Sequence, residues 1–132
     1  MRSQSFNQSF NASVLVVDDN EDIRESLLDF LEDHGFVATG ATDGRDALTK
    51  LGAARALPCL IILDLMMPNM DGRAFREAQM RDPCLAGIPV VVVSAYRDLR
   101  QLIEGMNVSD HLAKPLDLDA LLDVVREHCF NC

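Results

Sequence analysis

The chain contains no apolar run approaching the roughly 20 residues a membrane-spanning helix needs. Residues 1–13 carry one arginine and no hydrophobic stretch, so they do not read as a secretory leader, and a cytoplasmic address is expected. Positive charge is scarce: 12 Lys and Arg stand against 21 Asp and Glu, for a net charge of −9. That deficit argues against direct contact with nucleic acid or with anionic membrane surfaces, both of which recruit basic residues. There are four cysteines, Cys59, Cys84, Cys129 and Cys132. Cys129 and Cys132 form a single C-x-x-C pair, and no second pair exists to complete a zinc site. They read as two thiols on a frayed tail. Cys59, at the head of an apolar run, reads as a free thiol packed as a small hydrophobe. No linker or shift of composition divides Val14 from Cys132, and 132 residues suit one domain with a core that needs neither disulfide nor metal.

At the N-terminus, Gln4-Ser5-Phe6-Asn7 is followed by Gln8-Ser9-Phe10-Asn11. Such a polar repeat buries too little to order itself, so a disordered arm is expected over 1–13, ahead of one domain over 14–132. From Val14 the pattern alternates. Val14–Val17, Leu60–Leu63 and Val90–Val93 are continuous apolar runs, as strands covered on both faces require. Val37–Ala41 and His111–Ala113 fit two weaker strands. Between them lie helical stripes: Ile23, Leu27, Phe30 and Leu31; Ala47, Leu48 and Leu51; Ala74, Phe75 and Ala78; Leu99, Leu102, Ile103 and Met106; and Leu118, Leu121, Leu122 and Val125. Asp19 or Asn20 is placed to cap the first helix, His34-Gly35 to close it, and Asp117 to cap the last. Five strands alternating with five helices predict an α/β fold with a parallel sheet and helices on both faces.

In such a sheet, ligands bind beyond the carboxyl ends of the strands. The polar residues after the apolar runs are Asp18 and Asp19, then Asp64, then Ser94, then Lys114-Pro115. Taken singly, each has an ordinary explanation: an acidic first helical turn, a turn residue, a strand end, a surface turn. Taken together, they put three carboxylates, one hydroxyl and one ammonium at one sheet edge. Three clustered carboxylates do not all stay ionised without a cation. Mg²⁺ suits this set, since it takes oxygen ligands from one or two carboxylates plus a phosphate. One carboxylate is then free to act as a nucleophile on phosphorus, with Lys114 and Ser94 facing the transferred group.

The segments Val14-Leu15-Val16-Val17-Asp18-Asp19-Asn20, Leu63-Asp64-Leu65-Met66-Met67-Pro68-Asn69-Met70-Asp71-Gly72, Val93-Ser94-Ala95 and His111-Leu112-Ala113-Lys114-Pro115 resemble the receiver domain of two-component response regulators, over about Ser13 to His128. The resemblance implies a flavodoxin-like, doubly wound sheet of order 2-1-3-4-5 with five helices. It implies that Asp64 accepts phosphate from a sensor histidine kinase or histidine phosphotransfer protein. Asp18, Asp19, Asp64 and the backbone carbonyl of Met66 would hold Mg²⁺, with Asp18 acting largely through water. Ser94 would be the switch hydroxyl, Lys114 would pair with Asp64 and then with the phosphoryl group, and the Lys114–Pro115 bond would be cis. Such a domain is a phosphoacceptor rather than an enzyme on other substrates. It would work as a monomer or a phosphorylation-dependent weak dimer, switching a protein-binding surface around helix 4, strand 5 and helix 5.

The chain departs from the family pattern at several points. His111 stands where a larger aromatic residue usually couples to the switch hydroxyl. The span from Ser94 to Lys114 is about two residues short, so the fourth helix or its approach should be trimmed. Tyr96 and Met66 flank the phosphate position and are expected to shield it from water. A phosphatase with an aspartate nucleophile would need a second Asp two residues on, where this chain has Met66. A pseudo-receiver without chemistry would usually lack one of Asp18, Asp19, Asp64 or Lys114, and all are present. The start at Met1 and the absence of an output domain after His128 suggest a stand-alone regulator, the alternative being a receiver cut from a larger regulator or hybrid kinase.

Overall fold

The computed structural model describes residues 13–67, 70–95 and 99–129. Five strands, β1 (Ser13–Val17), β2 (Val37–Ala41), β3 (Leu60–Asp64), β4 (Val90–Ser94) and β5 (Asp110–Ala113), form one parallel sheet in the order β2-β1-β3-β4-β5. They alternate with α1 (Glu21–Asp33), α2 (Gly44–Ala53), α3 (Gly72–Arg81), α4 (Leu99–Leu102) and α5 (Leu118–Cys129). The arm expected over 1–13 lies outside the described residues except for Ser13, which begins β1.

Alternation along each strand builds two cores. Leu15, Val17, Ile61, Leu63, Val90 and Val92 face Ala47, Leu51 and Phe75 of α2 and α3. Val14, Val16, Leu60, Ile62, Val91 and Val93 face Leu27 and Leu31 of α1 and Leu121, Val124 and Val125 of α5. The central strands β3 and β4 are buried throughout, whereas β2, at the sheet edge, buries only Ala41. That is why the central strands read as unbroken apolar runs and the edge strand does not.

The helix ends obey local chemistry. Asn20, not Asp19, caps α1 by accepting from the Ile23 N–H at 3.0 Å. Gly35, at φ +91°, closes α1: its N–H donates to the Glu32 carbonyl and the Phe36 N–H to the Leu31 carbonyl. Asp43, Asp71 and Asp117 cap α2, α3 and α5 through side-chain acceptors.

Three sequence expectations need correction. The fourth helix stops at Leu102, and residues 103–106 form turns. Glu104 and Met106 donate to carbonyls only three residues back, and Gly105 takes φ +82°. The buried face of α3 includes Arg76 and Gln79 beside Phe75, while Ala74 and Ala78 are half-buried. Third, Cys59 is not a free thiol and Cys129 does not sit on a frayed tail. Helix α5 runs one turn beyond its last buried valine, which brings Cys129 over the start of β3. The two Cα atoms lie 5.3 Å apart and the sulfurs are joined in a disulfide. Cys132 lies outside the described residues, and Cys84 is exposed and free.

Arg76 and Gln79 tie α3 to the loops on either side of β4. Arg76 donates to the carbonyls of Met106 (3.0 Å) and Asn107 (2.6 Å) and to Gln79 Oε1 (2.7 Å). Gln79 donates in turn to the Leu85 and Ile88 carbonyls at 2.9 and 3.0 Å. Arg73 adds bonds to the Leu102 and Glu104 carbonyls. The irregular chain between α4 and β5 is thus held by arginines of α3, which satisfy carbonyls that no helix satisfies. No helix among the described residues is long and apolar enough to cross a membrane.

Candidate phosphoacceptor site

Asp64 is the last residue of β3, only 6% exposed, and its chain is fixed on both sides. Beyond it, the Leu65 N–H donates to the Val93 carbonyl at 3.1 Å, and the Gly72 N–H returns to the Leu65 carbonyl at 2.8 Å. The Asp71-Gly72 dipeptide has a double task. Asp71 caps α3 through the Ala74 N–H at 2.9 Å. Gly72 lets the helix start press against the strand end: a Cβ there would lie 2.9 Å from both the Asp64 carbonyl oxygen and the Leu65 Cα. These are backbone atoms with no side-chain freedom to yield. Gly72→Ala is therefore expected to cost about 2 kcal/mol by overpacking. Urea unfolding checks this, and a loss under about 0.5 kcal/mol would mean that the contact is not tight.

Asp18 comes directly after β1 and is buried. Its N–H donates to the Ala41 carbonyl at 3.1 Å, its Oδ1 accepts from the Asn20 N–H at 2.9 Å, and its carbonyl accepts from Arg24 at 2.9 Å. Asp19, next along, is exposed. One carboxylate oxygen from each of Asp18, Asp19 and Asp64 lies within 4.8 Å of the others. The Lys114 ammonium reaches Asp18 Oδ2 at 3.1 Å and Asp64 Oδ1 at 3.7 Å, so it bridges both carboxylates and sits nearer Asp18. The Lys114 N–H donates to the Ser94 carbonyl at 2.8 Å, which pins the ends of β4 and β5 together; Ser94 itself is buried. The Lys114–Pro115 peptide bond is cis.

The electrostatics arise from this crowding. Burial pushes the Asp64 carboxyl up to about 6, and the neighbouring Asp18 charge adds to the rise. Lys114 and the Met66 N–H, which donates to Asp64 Oδ1 at 3.4 Å, pull the other way. One lysine does not neutralise three carboxylates. An all-oxygen donor set so close together fits a hard divalent cation such as Mg²⁺ and is a poor match for metals that prefer sulfur or imidazole.

Asp18, Asp19, Asp64 and Lys114 are thus gathered at one edge, with Ser94 ending the adjoining strand. Met66 lies two residues past Asp64 with 49% of its surface exposed. His111 sits within β5 opposite Val92, half-buried and three residues before Lys114, outside the carboxylate cluster. Tyr96 and Pro68 lie outside the described residues. Beside Lys114 opens a groove of about 570 Å³ between α1 and the chain after β5, with apolar walls of Ile23, Leu27, Pro115 and Leu116. Sequence reading missed this groove. The signal was there in Ile23 and Leu116, apolar residues next to chemically marked positions, but their proximity is tertiary.

The model of the response regulator receiver domain matches residues 14–126. The chain is 35% identical over 118 residues to a 14.6 kDa protein of Leptolyngbya boryana, a match that covers 88% of each. It is 37% identical over 120 residues to the response regulator Rre1 of Synechocystis, covering 86% of this chain and 50% of that relative, so it spans about half of Rre1's length. Among solved structures, a response regulator receiver protein from Pseudomonas putida superposes with TM-score 0.80 at 32% identity, covering 87% of this chain and 95% of the other. The chemotaxis protein CheY4 of Vibrio cholerae gives 0.79 at 30% identity, covering 88% and 97%. Sheet order, strand-end chemistry and these likenesses agree: the chain belongs to the receiver-domain family of two-component response regulators.

Proposed function

We propose that Asp64 accepts a phosphoryl group, with Mg²⁺, from the phosphohistidine of a sensor histidine kinase or histidine phosphotransfer protein in the cytoplasm, and that the domain over 14–132 passes this state to a protein target through its α4–β5–α5 face. The observation that carries the reading is the placement of the Asp64 carboxylate, within 4.8 Å of ligand atoms of Asp18 and Asp19 and 3.7 Å from the Lys114 ammonium. In the proposed step an Asp64 oxygen attacks phosphorus, the phosphorus–nitrogen bond to the donor imidazole breaks, and the imidazole keeps the electron pair and takes up a proton. Lys114 shifts from the carboxylates toward the phosphoryl oxygens, and the Ser94 hydroxyl donates to one of them. Asp18, Asp19, Asp64 and the Met66 backbone carbonyl would hold the ion. A bound Mg²⁺ would supply charge neutralisation at the phosphoryl oxygens.

The groove beside Lys114 is the proposed seat of the protein donor, because it joins an apolar wall to the reacting edge. Ser26 lines it from the exposed face of α1 and takes no part in either core. Ser26→Trp should slow transfer from a labelled phosphohistidine protein at least about 10-fold, a loss near 1.4 kcal/mol, while transfer from a small phosphodonor stays within about twofold. Equal slowing with both donors would remove the docking role. In the same assay Asp64→Asn should take up no label, and label on that variant would place the acceptor elsewhere. Met66 is proposed to screen the acyl phosphate from water with its half-exposed side chain. Met66→Asn should then lose phosphate several-fold faster than the parent, and an unchanged decay rate would exclude that screening.

A further inference from the structure

The Cys59–Cys129 disulfide has no part in the phosphoacceptor edge. Cys59 precedes β3, so it lies at the amino edge of the sheet. Five strand steps, about 16 Å, separate it from Asp64, the last residue of β3. Cys129 ends α5. The inner face of that helix is fastened by Leu121, Val124 and Val125, and its last turn carries Arg126 and Glu127, both exposed, and half-buried His128. One turn beyond Val125, Cys129 packs against the core and ties this end of α5 to the start of β3. Both cysteines are half-buried, packed at the margin of the core rather than sealed inside it.

We propose that Cys59 and Cys129 form a reversible thiol–disulfide exchange site that takes a low-molecular-weight disulfide as oxidant and a small thiol as reductant, and thereby locks or releases the last turn of α5. In oxidation, one cysteine thiolate attacks a sulfur of the small disulfide and expels one small thiolate. The second cysteine thiolate then attacks the protein sulfur of that mixed disulfide and expels the other. Two electrons pass from the protein sulfurs to the oxidant, which leaves as two thiols carrying the two cysteine protons. Reduction is the reverse. In the oxidised chain α5 is tied to the sheet across 70 residues of sequence. In the reduced chain the covalent tie is gone and the last turn of α5 frays. In a reducing compartment disulfides are typically transient or regulatory.

The test equilibrates the full chain against graded ratios of reduced and oxidised glutathione. Acid quenching, alkylation in denaturant and intact mass then count the free thiols. The chain has four cysteines and the bond engages two, so two alkyl groups are expected on the oxidised form and four on the reduced form, with full return in either direction. Peptide mapping should place the cross-link between Cys59 and Cys129. The reduced form should melt about 10 °C lower. Cys129→Ser should match the reduced parent and no longer respond to glutathione, while Cys132→Ser should respond as the parent does. Four alkyl groups at every ratio, a bond that withstands reduction in the folded chain, a cross-link between Cys129 and Cys132, or equal melting of the two forms would each overturn the proposal.

Discussion

In the presence of a chelator, Asp64→Asn will be more stable than the parent at neutral pH, by roughly 2–3 kcal/mol, and the advantage will vanish in acid. An ordinary aspartate titrates at 3.8, whereas burial beside Asp18 pushes Asp64 up to about 6 in the folded chain. The folded state therefore holds a proton between these values that the unfolded state has released. Each unit of such difference is worth about 1.4 kcal/mol. Below about pH 4 the carboxyl is neutral in both states and costs nothing. As pH rises from 3.8 to about 6 the parent loses stability, and above that window the whole cost is present. The neutral amide never incurs it. The difference between parent and variant reads the Asp64 carboxyl together with its coupling to Asp18 and Asp19, since the remaining carboxylates titrate alike in both. Mg²⁺ should reverse the order, because the ion binds the folded parent and stabilises it by mass action. Urea unfolding at about pH 3.5, 5 and 7 measures the effect. A pH-independent difference would mean that Asp64 is not held in an unfavourable charged state.

Arg76→Ala will cost about 3–4 kcal/mol, far more than its place on an acidic protein's surface helix would suggest. Its side chain is buried, with the residue only 5% exposed, and burial pulls its pKa below the usual arginine value. Losing it strands the Met106 and Asn107 carbonyls and Gln79 Oε1, which it now serves. Each buried acceptor left without a donor costs about 1–3 kcal/mol. Asn107 sits at φ +56°, a conformation that a β-branched or bulky residue would resist, and the clasp helps hold it there. Arg76→Lys should recover part of the loss by keeping one donor. The change to alanine should also loosen the approach to β5, the strand that carries His111 and ends just before Lys114. A cost below about 1 kcal/mol in urea unfolding would mean that water substitutes for the guanidinium and that the clasp is incidental.

The placement of the site's side chains was legible in the sequence because it depends on strand ends. A buried parallel strand reads as an apolar run, and whatever polar residue comes next must emerge at the carboxyl edge. Asp18, Asp19, Asp64, Ser94 and Lys114 could all be placed in this way. The 2-1-3-4-5 order came from resemblance, since periodicity does not say which strands are neighbours. The short α4 was half legible. The missing residues between Ser94 and Lys114 predicted trimming, but its place depends on Gly105 and on the three-residue turns around it. The Arg76–Gln79 network went unread because a charged side chain one helical turn from another polar one normally faces water. Only the i+4 spacing of Gln79 from Phe75 hinted that this polar pair lies inside. The disulfide was illegible for a plainer reason: Cys59 and Cys129 are 70 residues apart, and nothing local records that α5 ends above the start of β3.

The central claim is that Asp64 is a Mg²⁺-dependent phosphoacceptor, and intact mass after incubation with a small phosphodonor tests it most directly. The predicted result is one phosphate-sized gain on the parent chain with Mg²⁺, absent in chelator and absent in Asp64→Asn. No gain under any condition, or a gain that persists in Asp64→Asn, would contradict it.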